Sequence, residues 1–235
     1  MYLSEGLHLR EVADYWRAIT AMNDYQKDRF TKRIVYRLNN NLTNKRIAVL
    51  GFAFKKNTSD TRESPAIGIV SSFIAEEAAV AIYDPQVTKE QIIKDLLSNS
   101  ISEITKFQVE HHVEVCETAY KACADADAVV IVTEWDEFSN KGTKLAELQN
   151  PGENPSGKRI IQKNYDVNPV PDEARVDWAM IAKSMKKPML VFDGRNILDA
   201  PSLRNLGFDV EAIGKKTWLQ HLPLEEVHPM ERLLE

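Results

Sequence analysis

Between residues 46 and 212 the chain repeats one pattern: a short apolar run followed by a stretch with helical spacing. The apolar runs are Arg46–Leu50, Val80–Tyr83, His112–Val115, Ala128–Val132, Met189–Phe192 and Phe208–Ala212. The helical stretches are Ala66–Glu77, Lys89–Ser98, Glu117–Ala124, Val176–Ser184 and Ser202–Leu206. A strand followed by a helical crossover returns the chain to the same edge of the sheet, so strands joined this way run parallel and need helices on both faces. The expected fold class is α/β, with a long N-terminal helix leading into a Rossmann-like doubly wound parallel sheet. Ligands of such sheets sit beyond the carboxyl ends of the strands.

The N-terminal segment is a different object. From about Leu7 to Leu38 apolar residues recur at helical spacing (Leu9, Val12, Trp16, Ile19, Tyr25, Phe30, Ile34, Leu38), and no proline interrupts them. At 1.5 Å per residue this is one helix on the order of 45 Å long, well beyond the usual helix of a globular domain. Such a helix suits a domain connector or a subunit interface better than a local piece of core. Asn39-Asn40-Asn41 ends it, which divides the chain into residues 1–41, a domain over 42–216 and a polar, proline-punctuated tail over 217–235. Between 139 and 175 the periodicity fades into Asn150-Pro151-Gly152 and Asn168-Pro169-Val170-Pro171, as expected of a surface insertion.

Composition excludes several classes. A chain of 235 residues with 43% hydrophobic and 28% charged residues can bury a substantial core, as one large or two small domains. The net charge of −5 argues against a dominant nucleic-acid or membrane-surface role. No stretch approaches the roughly 20 apolar residues of a membrane span, and Glu5 and Arg10 stand where a signal peptide would be apolar. The sequence reads as cytoplasmic. Cys116 and Cys123 lack the spacing of a zinc site or a disulfide framework and are expected to be small buried hydrophobes, so no metal is expected.

Chemistry concentrates after the first strand. Lys45 to Leu50 stops at Gly51, passes through a loop with Lys55, Lys56 and Arg62, and reaches Ser64-Pro65, a helix start. Anions bind where a strand's carboxyl end meets a helix N-terminus, with its free N–H groups and positive dipole end. The loop is not the three-glycine dinucleotide fingerprint, because Phe52, Phe54 and Lys55 follow Gly51. It can hold phosphate through the point charge of Lys55, with Phe54 walling a ring, or it can be core phenylalanines with a solvated lysine rim. After the fifth strand comes Asp193-Gly194-Arg195, whose arginine can converge with Lys55 on one diphosphate. Gly194 would allow a close approach or a tight turn. Asp84 reads as the cap of the turn at Pro85, Glu134 and Asp136 as either an acid/base pair or helix-start charges, which explain them as well, and the adjacent His111 and His112 as residues on opposite faces of a strand.

Taken in order, these motifs resemble the UDP-glucose/GDP-mannose dehydrogenase family, over nearly the whole chain from Leu7 to Lys216 except the insertion. The matching segments are Met22-Asn23-Asp24-Tyr25-Gln26, Gly51 to Lys56 with Asp60-Thr61-Arg62-Glu63-Ser64, Ile82-Tyr83-Asp84-Pro85, Thr133-Glu134-Trp135-Asp136, Phe192-Asp193-Gly194-Arg195 and Ile213-Gly214-Lys215. The resemblance implies oxidation of the C6 hydroxymethyl of UDP-glucose to the carboxylate of UDP-glucuronate, with reduction of two NAD and a thioester on a cysteine. By the same resemblance Phe54, Lys55 and Arg195 bind the UDP-sugar, Arg62 reaches NAD, and the long helix is a central dimerisation helix. The family's G-x-G-x-x-G domain and glycine-flanked cysteine nucleophile have no counterpart in this sequence. The expectation is the central helix and C-terminal UDP-binding part of such an enzyme, inactive alone, with a non-catalytic binding or regulatory module as the alternative.

Overall fold

The computed structural model describes residues 9–98, 104–141 and 175–215. Residues 142–174 of the expected insertion, the 217–235 tail and the first eight residues lie outside the described ones.

Six strands form one all-parallel sheet: β1 (Arg46–Leu50), β2 (Ala79–Tyr83), β3 (Val113–Val115), β4 (Ala128–Ile131), β5 (Met189–Asp193) and β6 (Phe208–Ala212). Their spatial order is β3-β2-β1-β4-β5-β6, the doubly wound order expected. Every residue of β4 and β5 is buried, which is why these strands are continuous apolar runs and not alternating ones. Register aligns the carboxyl edge. Leu50 lies opposite Tyr83 on one side and Ile131 on the other, Ile131 opposite Asp193, and Asp193 opposite Ala212. The residues after these strands therefore emerge in one row, and the order reverses between β1 and β4, the place where such sheets open a crevice.

The helices are α1 (Arg10–Arg37), α2 (Pro65–Ala75), α3 (Lys89–Ser98), α4 (Lys106–His112), α5 (Ala119–Cys123), α6 (Trp178–Ser184) and α7 (Ala200–Asn205). Helix α4 replaces an expected strand start. Thr105 and Gln108 form a capping box, and the helix runs through His111 and His112, which sit in its last turn and not on two faces of a strand.

Helix α1 has two unlike halves. Its C-terminal half docks on the domain through buried Phe30, Ile34 and the following Leu38. The almost fully buried Arg33 grips Glu211 of β6 by two bonds of 2.8 and 3.1 Å, and Arg37 reaches both Glu211 and Asp209. A buried bidentate pair compensates both charges, although Arg33 Nη1 has no hydrogen-bond partner, and removing one member would strand the other. The N-terminal half leaves Val12, Tyr15, Trp16 and Met22 exposed, apolar surface that this domain does not cover.

Candidate anion site at the carboxyl edge

The site is built around the loop that follows β1. Gly51 has φ +92°, and a Cβ there would lie 2.4 Å from Cβ of Thr133, so glycine is required both by the left-handed turn and by the close pass of the β4 loop. Thr133, fully buried, donates its hydroxyl to the Ala53 carbonyl at 2.6 Å. At the far end, Phe54 N–H donates to the Asp60 carbonyl at 2.8 Å. Ser64 then caps α2, accepting from Ala66 N–H while donating its hydroxyl to the Phe52 carbonyl at 2.8 Å, with Pro65 in the first turn.

Asp84, buried beyond β2, organises this side. Its Oδ1 accepts from Gln86 and Val87 N–H at 2.9 and 3.0 Å, the turn cap expected beside Pro85. Its Oδ2 does something the sequence did not disclose: it accepts from Phe52 N–H at 2.6 Å, Ala53 N–H at 2.9 Å and the Trp135 indole at 3.0 Å. The acid that ends β2 is thus committed to the protein's own donors, and the Trp135 side chain, itself buried, reaches across to it. Beside it, burial pushes the Glu137 carboxyl up, with the Tyr83 hydroxyl acting the other way and the charge of Asp84 adding to the rise. The Tyr83 phenol is itself raised, by burial first and by Glu137 next.

Across the switch point the groups face outward. Phe54 is 45% exposed and Lys55 is exposed. Arg195, on the turn after β5, donates from Nε to the Val132 carbonyl at 2.6 Å and from Nη2 to the Phe54 carbonyl at 3.3 Å, which brings it to the loop that carries Phe54 and Lys55. Gly194 is a tight turn. Its N–H donates to Ile131 at 3.0 Å, and a Cβ would stand 2.7 Å from that carbonyl and 3.2 Å from the Phe30 ring of α1. Between α1 and this edge lies an apolar cavity of about 140 Å³, bordered by Gln26, Phe30, Pro65, Val132 and Arg195.

Of the expected site residues, Arg195 reaches the Phe54 carbonyl with Lys55 the next residue of the same loop, whereas Arg62 stands apart at the rim, 87% exposed in its side chain and chelated by Asp60 at 2.9 and 2.7 Å. Glu134 and Asp136 are not a catalytic pair: Glu134 lies 3.2 Å from Arg195 Nε, and Asp136 holds Lys56 at 2.8 and 3.0 Å. Among the described residues no group of three His, Cys, Asp or Glu could hold a metal ion, and no helix is long and apolar enough to cross a membrane.

Residues 48–160 match the UDP binding domain of the UDP-glucose/GDP-mannose dehydrogenase family. The chain is 40% identical over 238 aligned residues to UDP-glucose 6-dehydrogenase 3 of Arabidopsis thaliana, covering 95% of this chain and 41% of the relative. It is 41% identical over 216 residues to UDP-glucose 6-dehydrogenase of Drosophila melanogaster, covering 92% of this chain and 38% of the relative. A solved UDP-D-ManNAc dehydrogenase from Pyrococcus horikoshii aligns at 25% identity and a TM-score of 0.44 over 77% of this chain and 28% of that one. The chain thus spans about two fifths of the length of the curated relatives it matches. The UDP-binding match lies over the β1 loop, the Asp84 turn and the end of β4 just described, whereas the turn after β5 that carries Arg195 falls outside it; over most of its length the chain is similar to UDP-glucose 6-dehydrogenases.

Proposed function

We propose that this chain carries the UDP-sugar-binding and subunit-pairing part of an NAD-dependent UDP-glucose 6-dehydrogenase, which oxidises UDP-glucose to UDP-glucuronate. The observation that carries the reading is the convergence of Arg195 with the Phe54-Lys55 loop at the switch point of the sheet. Arg195 spends Nε and Nη2 on backbone carbonyls, which fixes the guanidinium and leaves Nη1 to a ligand oxygen. Lys55 supplies a second, mobile charge, and the Phe54 ring offers a face to a base or sugar.

The residues described here do not fit a dinucleotide laid over β1 and β2. The acid that would take a ribose hydroxyl already accepts five N–H donors, and Trp135 occupies that side. Arg62 can offer NAD a guanidinium only from the rim, so no hydride step is derived from these residues. Nor is a nucleophile assigned. Both cysteines are buried, and burial pushes the Cys123 thiol up to about 12 and the Cys116 thiol above its ordinary value, the opposite of an activated thiolate. Two free buried cysteines suit a cytoplasmic setting.

Pairing of subunits is assigned to the N-terminal half of α1, where Val12, Tyr15, Trp16 and Met22 lie exposed. Light scattering that finds a clean monomer at tens of micromolar, an ordinary concentration for stable oligomers, would overturn that part. For the ligand, calorimetry of UDP against the parent and Arg195→Ala should show a loss of roughly ten- to a hundredfold, the worth of one charge-assisted contact of about 1.5–3 kcal/mol. UMP should lose less. Equal UDP affinity in parent and variant would remove Arg195 from the site.

A further inference from the structure

The loops that follow β1 and β5 carry four cations, and three of them already have a carboxylate. Arg62 is held by Asp60 at 2.7 and 2.9 Å, Lys56 by Asp136 at 2.8 and 3.0 Å, and Arg195 faces Glu134 at 3.2 Å. Among the described residues Lys55 forms no ion pair and no hydrogen bond.

The three pairs are not alike. Asp60 and Asp136 chelate their cations with two oxygens, as structural pairs do. Glu134 does not. Its Oε2 is buried and makes no hydrogen bond, although Arg195 Nε is only 3.2 Å away, because the Nε proton is directed at the Val132 carbonyl at 2.6 Å. Arg195 is therefore oriented by two backbone carbonyls, Val132 and Phe54, and Glu134 adds charge without adding direction.

From this geometry we infer that Glu134 is a resident counter-charge that sets how strongly, and for which ligand charge, the Arg195 site binds anions. This rests on the proposed UDP reading only for the identity of the ligand. A carboxylate this close to the guanidinium lowers the potential that an incoming phosphate meets, and it repels that phosphate directly. The site then rewards ligands that bring further contacts, such as a base against Phe54, and discriminates against bare phosphate. Removing the charge while keeping the shape should tighten binding, and by more as the ligand charge grows. A residue that merely positioned Arg195 would have the opposite sign.

The test compares the full chain with Glu134→Gln and Glu134→Asp by calorimetry against uridine, UMP, UDP and inorganic pyrophosphate, or, where heats are small, by proton NMR of the uracil ring for the uridine ligands and phosphorus NMR for pyrophosphate. The expected result for Glu134→Gln is about three- to tenfold tighter UDP and pyrophosphate, a smaller gain for UMP and none for uridine. Glu134→Asp, which retains the charge, should stay near the parent. Weaker binding of UDP and pyrophosphate to Glu134→Gln would overturn the inference in favour of a positioning role. An equal shift for uridine and UDP would overturn it too, because charge does not act on uridine. If the parent ignores UDP while pyrophosphate binds Glu134→Gln more tightly, the UDP reading falls and the counter-charge stands. No binding of any anion to either protein overturns both.

Discussion

The two sides of the carboxyl edge both bind backbone groups through a charged side chain and put that device to opposite use. Over β1 and β2 an aspartate, a tryptophan and two backbone segments close on one another: Asp84 takes five N–H donors, and Trp135 lies buried against it. Toward β4 and β5, Arg195 donates to the Val132 and Phe54 carbonyls, and the Phe54 ring and Lys55 of the β1 loop stay exposed beside it. One side is a keystone and the other a socket. A sheet of this order ordinarily offers its switch-point crevice to a nucleotide, and here one flank is closed by its own hydrogen bonds while the other stays open.

The largest effect should come from removing the keystone. Asp84→Ala leaves Phe52, Ala53, Gln86 and Val87 N–H and the Trp135 indole without their acceptor in a mostly buried place. Hydrogen bonds to a charged group are worth about 1.5–3 kcal/mol each and the losses overlap, so urea unfolding should report about 3–5 kcal/mol of destabilisation. Arg195→Ala, in the socket, loses two bonds to carbonyls that water can replace and should cost only about 1 kcal/mol of stability. If the two variants lose equal stability, the division between a structural and a binding flank is wrong.

How much of this was legible depends on how far the partners lie apart in the chain. The strands were readable because buried parallel strands are continuous apolar runs, and the row of residues after them followed from that; the same reading puts Arg195 beside the β1 loop, where it reaches the Phe54 carbonyl. Helix α4 was missed because only Val109 of its seven residues is buried, so it has almost no apolar periodicity, although Thr105-Lys106-Phe107-Gln108 carries the capping-box signal. The second oxygen of Asp84 was out of reach. Its partners lie 31, 32 and 51 residues away, and two of them are backbone N–H groups, which every residue but proline has. Glu134 and Asp136 look like a pair at a spacing of two, yet they face different cations delivered by different strands. Sequence spacing cannot show that separation.

The smallest effect belongs to the exposed rim, where Asp60 and Arg62 form a pair open to solvent. Asp60 is held down to about 2, first by the Arg62 side-chain bonds, then by the Arg62 backbone N–H and, more weakly, by the charges of Arg62 and Lys55. A carboxylate depressed in the folded state contributes stability above its ordinary range near 3.8, and that contribution is lost as the pH falls through about 2. Because the pair is exposed, Arg62→Ala should leave the melting temperature at neutral pH unchanged. Its signature is local. A carbon-13 titration of the Asp60 carboxyl should move from a midpoint near 2 in the parent part of the way back in Arg62→Ala, since the backbone N–H of residue 62 remains to donate. Lys55→Ala should move it less, because that charge acts only at a distance. If Lys55→Ala moves the Asp60 midpoint more than Arg62→Ala does, Lys55 is engaged with the rim and is not the unpaired cation of the socket. The contrast between the two flanks would then have to be drawn with Lys55 on the structural side.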